Sequence, residues 1–366
     1  MHEAKSLESM LKNHLIMNGA RINFLAGFII ALLKTGTANF MKIALALPGS
    51  AAKDSKYKRI QRFFANYCLD FDMLAQFIVE LTPVKQSKWI LSIDRTNWKF
   101  GKININILTL GIVYKGIAFP VLWNCLDKRG NSNTKERIAI MKKFIDLFGA
   151  DKIECIVADR EFIGDAWFNY LIRNGIKFRI RIRENNLVTN TRGFSIPVKR
   201  LFHSLKAGKY EVLSGKRNVM GHHLFIIGSK LTTGEFMILV TNEDPENATD
   251  DYRKRWGIET LFGCLKSRGF NFESTHLTKL DRVEKLVAIL SIAFTWCHII
   301  GEWKNEQKEI KIKKHGRKSV SLFRYGFDEL REILFNISYR IADFQRTVEI
   351  LFNNVNPKYY VQEILT

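Results

Sequence analysis

Ile153-Glu154-Cys155-Ile156-Val157-Ala158-Asp159 is almost wholly apolar for six residues and then stops at a carboxylate. A strand with one wet face alternates polar and apolar residues, whereas a strand covered on both faces runs continuously apolar. The stretch therefore predicts a central strand of an α/β sheet, with Asp159 at its C-terminal end. Upstream, Trp89-Ile90-Leu91-Ser92-Ile93-Asp94 reads as a strand, and Ile103, Ile105 and Ile107 alternate with Asn104, Asn106 and Leu108 as a second. Lys115-Gly116 makes a turn into a third strand, Ile117–Trp123, completing an antiparallel meander. Asn133 and Glu136 have the spacing of a helix capping box. The helix they open carries Ile138, Met141, Phe144 and Ile145 and leads into the central strand.

Downstream, a helix over about 164–173 precedes Phe178-Arg179-Ile180-Arg181-Ile182-Arg183. Strict alternation puts three arginines on one face of that strand, where they would line a groove suited to phosphates. Residues 184–235 are polar, strand-like and broken by glycines, and read as a β-rich insertion. Phe236–Val240 resumes a core strand, and a long helix starts near Ala248. Five regions result: a helical module over 1–85, a first core segment over 86–183, the insertion over 184–235, a second core segment over 236–280, and a helical C-terminal region over 281–366 with a basic linker at Lys308–Lys318.

Lys plus Arg number 57 against 36 Asp plus Glu, giving a formal charge of +21. Such a chain seeks a polyanion, nucleic acid first and an anionic membrane second. In the N-terminal module, Tyr57-Lys58-Arg59-Ile60-Gln61-Arg62-Phe63-Phe64 sets Lys58, Arg59 and Arg62 on one side of a helix. This is a plausible DNA contact, and a solvated basic face fits it as well. No exposed amphipathic helix with Trp or Phe opposite its lysines supports membrane binding. The apolar runs Phe24–Leu33 and Leu286–Ile300 fall short of the roughly 20 residues of a spanning helix and read as buried core helices. The N-terminus, MHEAKSLESM, has acids where a signal peptide has a basic region. The five cysteines include no CxxC pair, so neither zinc nor a disulfide framework is expected, and a reducing cytoplasm fits.

The chemistry concentrates in Asp251-Tyr252-Arg253-Lys254-Arg255-Trp256-Gly257-Ile258-Glu259-Thr260-Leu261-Phe262-Gly263-Cys264-Leu265-Lys266. On one continuous helix, Tyr252, Arg255, Glu259 and Lys266 fall within a stripe of about 60°. Ile258, Leu261, Phe262 and Leu265 face the core. A carboxylate flanked by cations suits a bound metal ion beside gripped phosphates. The helix alone is also consistent with an amphipathic surface helix carrying an i,i+4 ion pair. Trp98 and Trp123 read as core or groove walls, and His222-His223, with no third ligand in sight, as surface residues.

The pattern Tyr-x2-Arg-x3-Glu-x6-Lys resembles the signature of the bacterial insertion-sequence transposases of the IS-four type, DDE enzymes that cut DNA through a hairpin intermediate. The resemblance extends from about Trp89 to Asp281, and the segment Arg317–Leu334 is also similar to members of this group. It implies an RNase H-like mixed sheet with flanking helices. It also implies a catalytic triad of Asp94, Asp159 and Glu259, with Glu161 and Asp165 as weaker competitors for the second position. The triad would hold two Mg²⁺ ions, with Mn²⁺ as substitute. Tyr252, Arg255 and Lys266 would hold the DNA strand that is not transferred. The partners implied are the terminal inverted repeats of the element, target DNA and a second copy of the chain, in the bacterial cytoplasm. The steps implied are end nicking, hairpin formation and opening, and strand transfer. An RNase H-like nuclease without strand transfer and an inactive DNA-binding derivative stand as alternatives. The family places an aromatic in the insertion to hold a flipped base. Of Phe194, Phe202, Tyr210 and Phe225, none is singled out.

Overall fold

A computed structural model describes residues 2–84, 86–314 and 316–353. The chain forms two compact units. One comprises Met1–Val84, Trp98–Ile105 and Leu261–Thr366, and the other Lys85–Asn97 and Asn106–Thr260.

The second unit is built on a mixed sheet. Its strands are β1 (Trp89–Phe100), β2 (Ile103–Tyr114), β3 (Ile117–Cys125), β4 (Ile153–Ala158), β5 (Phe178–Ile182), β6 (Leu187–Thr189), β7 (Ser195–Pro197), β8 (Tyr210–Val212), β9 (Arg217–Val219), β10 (His222–Lys230) and β11 (Phe236–Thr241). Their order is β3-β2-β1-β4-β5-β11-β10-β9-β6-β7, with β8 also paired to β10. β4 lies between β1 and β5 and is parallel to both, as its apolar run predicts. β2 and β3 are antiparallel, joined through Lys115 and Gly116, both at positive φ. The expected meander is present, with β1 and β2 each 12 residues long. The strands between 184 and 235 are not separate from this sheet, because β10 pairs with β11 along its length and extends it.

Helix α6 (Thr134–Phe148) opens with the predicted capping box, Asn133 and Glu136 each accepting from the other's backbone. Its Phe144 meets Trp89 of β1 edge-on at 6.2 Å. Helix α7 (Asp165–Arg173) stacks Phe168 on Phe178 of β5 at 5.3 Å. Both phenylalanines are fully buried, each worth roughly 1.5–3 kcal/mol against exposure. Because strand residues alternate, Arg179 and Arg181 point away from α7. They point toward helix α8 (Ala248–Arg253), where Arg179 meets Asp251 at 3.3 Å. The sheet therefore carries helices on both faces.

One expectation is corrected here. The motif stretch is not one helix. α8 ends at Arg253, and α9 (Trp256–Leu265) starts after a tight turn. In that turn Lys254, Arg255, Gly257 and Ile258 each donate to the carbonyl three residues back. Just after the break, Gly257 brings α9 close against β3. A Cβ there would stand 2.6 Å from the Ile117 carbonyl carbon of β3, so only glycine lets the chain pass so close to that strand.

The first unit is helical: α1 (His2–Lys12), α2 (Gly19–Thr35), α3 (Phe40–Ala46), α4 (Lys53–Asn66), α5 (Phe71–Leu81), α10 (Leu280–Gln307), α11 (Leu322–Phe335) and α12 (Ile341–Phe352). α10 has 28 residues and is long and apolar enough to cross a membrane, but its most apolar window is 94% buried within the fold. It packs tightly on α11 because Gly301 and Gly326 face each other, where a Cβ would run into the Leu322 or Cys297 carbonyl. The residues after 353 in the expected C-terminal region lie outside the described structure.

Candidate active site

β1 and β4 run parallel with Ser92 opposite Val157 and Ile93 opposite Ala158. The next residues are Asp94, still within β1, and Asp159, the first residue past β4. Asp94 thus stands midway along β1 and Asp159 just past the C-terminal end of the adjacent parallel β4, near enough for the charge of Asp159 to act on Asp94. Each accepts the N–H of the following residue, Asp94 from Arg95 at 2.7 Å and Asp159 from Arg160 at 2.6 Å.

The turn between α8 and α9 delivers the other two groups. Arg255 has 7% of its surface exposed, and its guanidinium reaches Glu259 at 2.6 Å and Asp94 at 3.5 Å. A single buried cation therefore bridges a carboxylate of the sheet and one of the helix. Burial is the largest influence on Asp94. With the nearby charges of Asp159 and Glu259 it outweighs the Arg95 N–H and Arg255, and the carboxyl is pushed up to about 6. Burial alone would lower the Arg255 pKa, but Tyr252, Glu259 and Asp94 more than offset it and hold it raised. Asp94, Asp159, Arg255 and Glu259 all belong to the second unit.

The helical break changes the place of Tyr252. Its ring is 6% exposed and packs with Ile227, Leu239 and Ala248 in the core. Burial, the largest influence, keeps its pKa raised, and Arg255 and Asp159 act on the same hydroxyl. The ring is thus a packing element and only the hydroxyl turns toward the charged groups. This corrects the single stripe expected from a continuous helix. Trp256 stands at the start of α9 with 65% exposure, its ring 5.8 Å from the Arg255 guanidinium.

A buried network supports the two aspartates, and sequence reasoning missed it. Arg95 forks onto Glu161, with Nε at 2.9 Å and Nη2 at 3.0 Å from its two oxygens. Arg95 Nη1 reaches Asn106 at 2.8 Å, and Asn106 in turn donates to the Lys128 and Gly130 carbonyls. Glu161 also accepts from the Ser132 N–H and hydroxyl at 3.0 and 3.1 Å. Arg137, 4% exposed, donates to Ser132 and to the Ile163 carbonyl. Burial would raise the Glu161 pKa, but the Arg95 and Ser132 hydrogen bonds win and hold it lowered. The residue after Asp94 is thereby tied to the second residue after Asp159. Glu161 serves Arg95 rather than competing with Asp159. One signal was available in the sequence. Arg137, Ile140, Met141 and Phe144 share one helical stripe, so a cation sat on a buried face.

The other expected contacts divide. Arg179 is 2% exposed, and its guanidinium is held by Thr241, the Glu243 carbonyl and Asp251, so it is a structural group and not part of an open phosphate groove. Arg181 is partly exposed and pairs with Glu235 at 2.7 Å. Arg183 lies beyond the end of β5 and is exposed. Lys58, Arg59 and Arg62 are exposed on α4, with Arg59 bonded to Asn23 at 3.0 Å. Lys266 falls in the first unit, where its ammonium pairs with Glu273 at 2.9 Å and lies 5.2 Å from the Trp98 ring. Trp98 and Trp123 are 9% and 8% exposed, core residues as expected. His222 is not a free surface residue, since its Nε2 meets Asp165 at 2.8 Å.

Among the described residues, no three His, Cys, Asp or Glu side chains form a ready metal cluster. The arrangement nonetheless fits a divalent cation in its chemistry. The donors are all hard carboxylate oxygens, and burial, helped by the charges of Asp159 and Glu259, makes the ionised Asp94 costly in the absence of a cation.

A family model described as the transposase DDE domain matches residues 85–296, more than half of the chain. No curated protein matches the sequence. Among solved structures, the chain is similar to a piggyBac transposase synaptic complex with hairpin DNA, determined by cryo-EM. The identity is 12% and the TM-score 0.47, over 98% of this chain and 84% of that one. On the family match, the chain belongs to the transposase DDE domain family.

Proposed function

We propose that this protein is a cut-and-paste DNA transposase of the bacterial IS-four type, and that Asp94, Asp159 and Glu259 form its catalytic centre. One observation carries the reading. Carboxylates from β1 and from the end of β4 lie side by side, and Arg255 links Asp94 to the carboxylate of α9. The parallel β1 and β4, with one acid midway along β1 and one just past the end of β4, and a third acid on a helix after the strand-rich segment, support an RNase H-like core.

DDE domains of this kind generally use divalent metal ions. Asp94, Asp159 and Glu259 would hold two of them, Mg²⁺ by preference and Mn²⁺ as a substitute. Such ions supply Lewis-acid stabilisation of charge on the phosphate oxygens. The chain's own residues do the rest. Arg255 exchanges a carboxylate oxygen for a phosphate oxygen of the DNA strand, a switch that its planar fork permits. The Tyr252 hydroxyl orients that guanidinium, and its buried ring fixes the height of α8 against the sheet. The network through Arg95 and Glu161 keeps Asp94 and Asp159 in register while charge builds up between them. Lys266, Arg183 and the exposed basic side of α4 hold flanking phosphates of the terminal repeats and of the target. Two copies would pair two ends, in the bacterial cytoplasm close to the nucleoid.

The test uses purified protein, Mg²⁺ and a plasmid carrying the gene with its flanking DNA. Excision of a defined fragment with hairpin ends, followed by its joining to a second plasmid, is expected. Cutting without joining identifies a nuclease. Binding without cutting identifies an inert derivative. Either of these two outcomes overturns the proposal.

A further inference from the structure

A second polar cavity lies in the helical unit and takes no part in the catalytic centre. Its volume is about 250 Å³, and its polar lining comes from Tyr57, Gln61, Thr275, Thr278, Lys279 and Arg282. That is below the roughly 300–1,000 Å³ of small-molecule sites. It suits one phosphate with part of a sugar.

The cavity is firmly built. Its floor holds Phe40 and Phe64, whose rings lie 4.6 Å apart. Its rim is the segment between α9 and α10, clamped to the start of α3. Ala38 donates to the Phe270 carbonyl at 2.8 Å, Asn39 to the Ser274 carbonyl at 3.2 Å, and the Thr37 and Ser274 hydroxyls meet at 2.8 Å. Asn271 and His276 both sit at positive φ, 45° and 58°, turning the chain along this rim.

The chemistry of its wall is anionophilic. Lys279 is the N-cap residue of α10 and supplies no side-chain cap, so the start of a 28-residue helix, with its positive dipole end, stands at this wall. Among the described residues Arg282 has no ion-pair partner, and its Nε has no hydrogen-bond partner. Thr275 is only 5% exposed, yet its hydroxyl is likewise unsatisfied. A buried hydroxyl and a guanidinium left unpaired beside a helix N-terminus form a set of donors without an acceptor. A phosphate oxygen supplies that acceptor. Tyr57 and Gln61 are one turn apart on α4, the helix that also carries the exposed Lys58 and Arg62.

We infer that this cavity binds one backbone phosphate of DNA, held by Arg282, Lys279 and the start of α10, and that it anchors a strand running along the basic side of α4. The inference rests on the reading that DNA is the ligand.

The experiment measures duplex DNA affinity against salt concentration for the full chain and for Arg282→Gln, Arg282→Lys and Thr275→Val, with melting temperature as the fold control. Loss of one phosphate contact lowers the slope of log K against log salt by about one. Arg282→Gln is expected to show that drop together with roughly tenfold weaker binding. Arg282→Lys keeps the slope, and Thr275→Val weakens binding without changing it. If Arg282→Gln fails to fold, Lys279→Gln, at an exposed position, gives the same reading. A parallel titration with inorganic phosphate separates the sources. Phosphate binding lost in Arg282→Gln with an unchanged DNA slope makes the pocket a free-anion site and overturns the inference. An unchanged slope and no phosphate binding overturns it too, and leaves the transposase reading intact. A wild type that binds no DNA at any salt concentration removes both.

Discussion

Asp94→Asn should make the metal-free protein more stable at neutral pH while abolishing its activity. Asp94 has 18% of its side chain exposed, and its carboxyl is pushed from 3.8 up to about 6, by burial first and by Asp159 and Glu259 in addition. Its folded pKa is therefore above its unfolded one. Between those values the folded state holds the extra proton, so stability falls as pH rises through about 4 to 6, and the penalty is complete above that window. Two units correspond to about 3 kcal/mol. Partial exposure and the loss of one Arg255 partner reduce this to about 1–3 kcal/mol in favour of the variant at pH 7. Asparagine keeps the acceptor for the Arg95 N–H, so the local backbone is undisturbed. The assay is urea unfolding in chelator at pH 7 and pH 4, followed by tryptophan fluorescence. The variant should be the more stable at pH 7 and equal to wild type at pH 4. Adding Mg²⁺ should stabilise wild type and leave the variant nearly unmoved. A variant less stable than wild type at pH 7 in chelator would refute the argument that ionised Asp94 is costly at this buried site.

Other perturbations probe the surroundings of the site. Arg95→Met and Glu161→Leu should each cost about 2–4 kcal/mol, and the double variant clearly less than their sum, since each single change strands a buried charge; additive losses in a double-mutant cycle would mean that the pair is not coupled. Tyr252→Phe should leave unfolding within about 1 kcal/mol of wild type, whereas Tyr252→Ala should cost about 3–5 kcal/mol; equal losses in urea titrations would contradict the packing role of the ring. Glu329 is buried with Lys304 and Arg340, whose hydrogen bonds outweigh desolvation and hold its pKa lowered. Its folded pKa lies below the unfolded one, so its contribution is present above about pH 4 and lost as pH falls further. Glu329→Gln should therefore cost about 1–3 kcal/mol at pH 7 and progressively less in acid, and a pH-independent loss in thermal scans would argue against an ionic role.

The parts of the fold that follow from local chemistry were legible in the sequence. The apolar run ending at Asp159 announced a doubly covered strand, and Asn133 with Glu136 announced the start of α6. That Asp94 and Asp159 belong to one site came from the family resemblance, and the parallel pairing of β1 with β4 came only from the structure. What could not be read was anything decided by a close tertiary approach. The motif looks like one helix because Lys254 and Arg255 are good helix formers, and no local pattern announces the turn at these two residues or the close approach of Gly257 to β3. That break sends the Tyr252 ring inward. The alternation of Arg179, Arg181 and Arg183 was equally clear, but it gives no hint that Asp251 and Thr241 would enclose the first of them. The Arg95–Glu161 fork joins residues 66 positions apart, and no local pattern announces a pairing across that separation.

The central claim is that three acids form one metal-dependent centre, and plasmid cleavage by wild type, Asp94→Asn, Asp159→Asn and Glu259→Gln in Mg²⁺ tests it most directly. The account predicts that wild type cuts at the ends of its element and stops in chelator. Each variant should still bind the same DNA with wild-type affinity and lose cleavage by at least about 10³-fold. If any one of the three variants cuts at the wild-type rate, that residue does not belong to the centre and the account fails there.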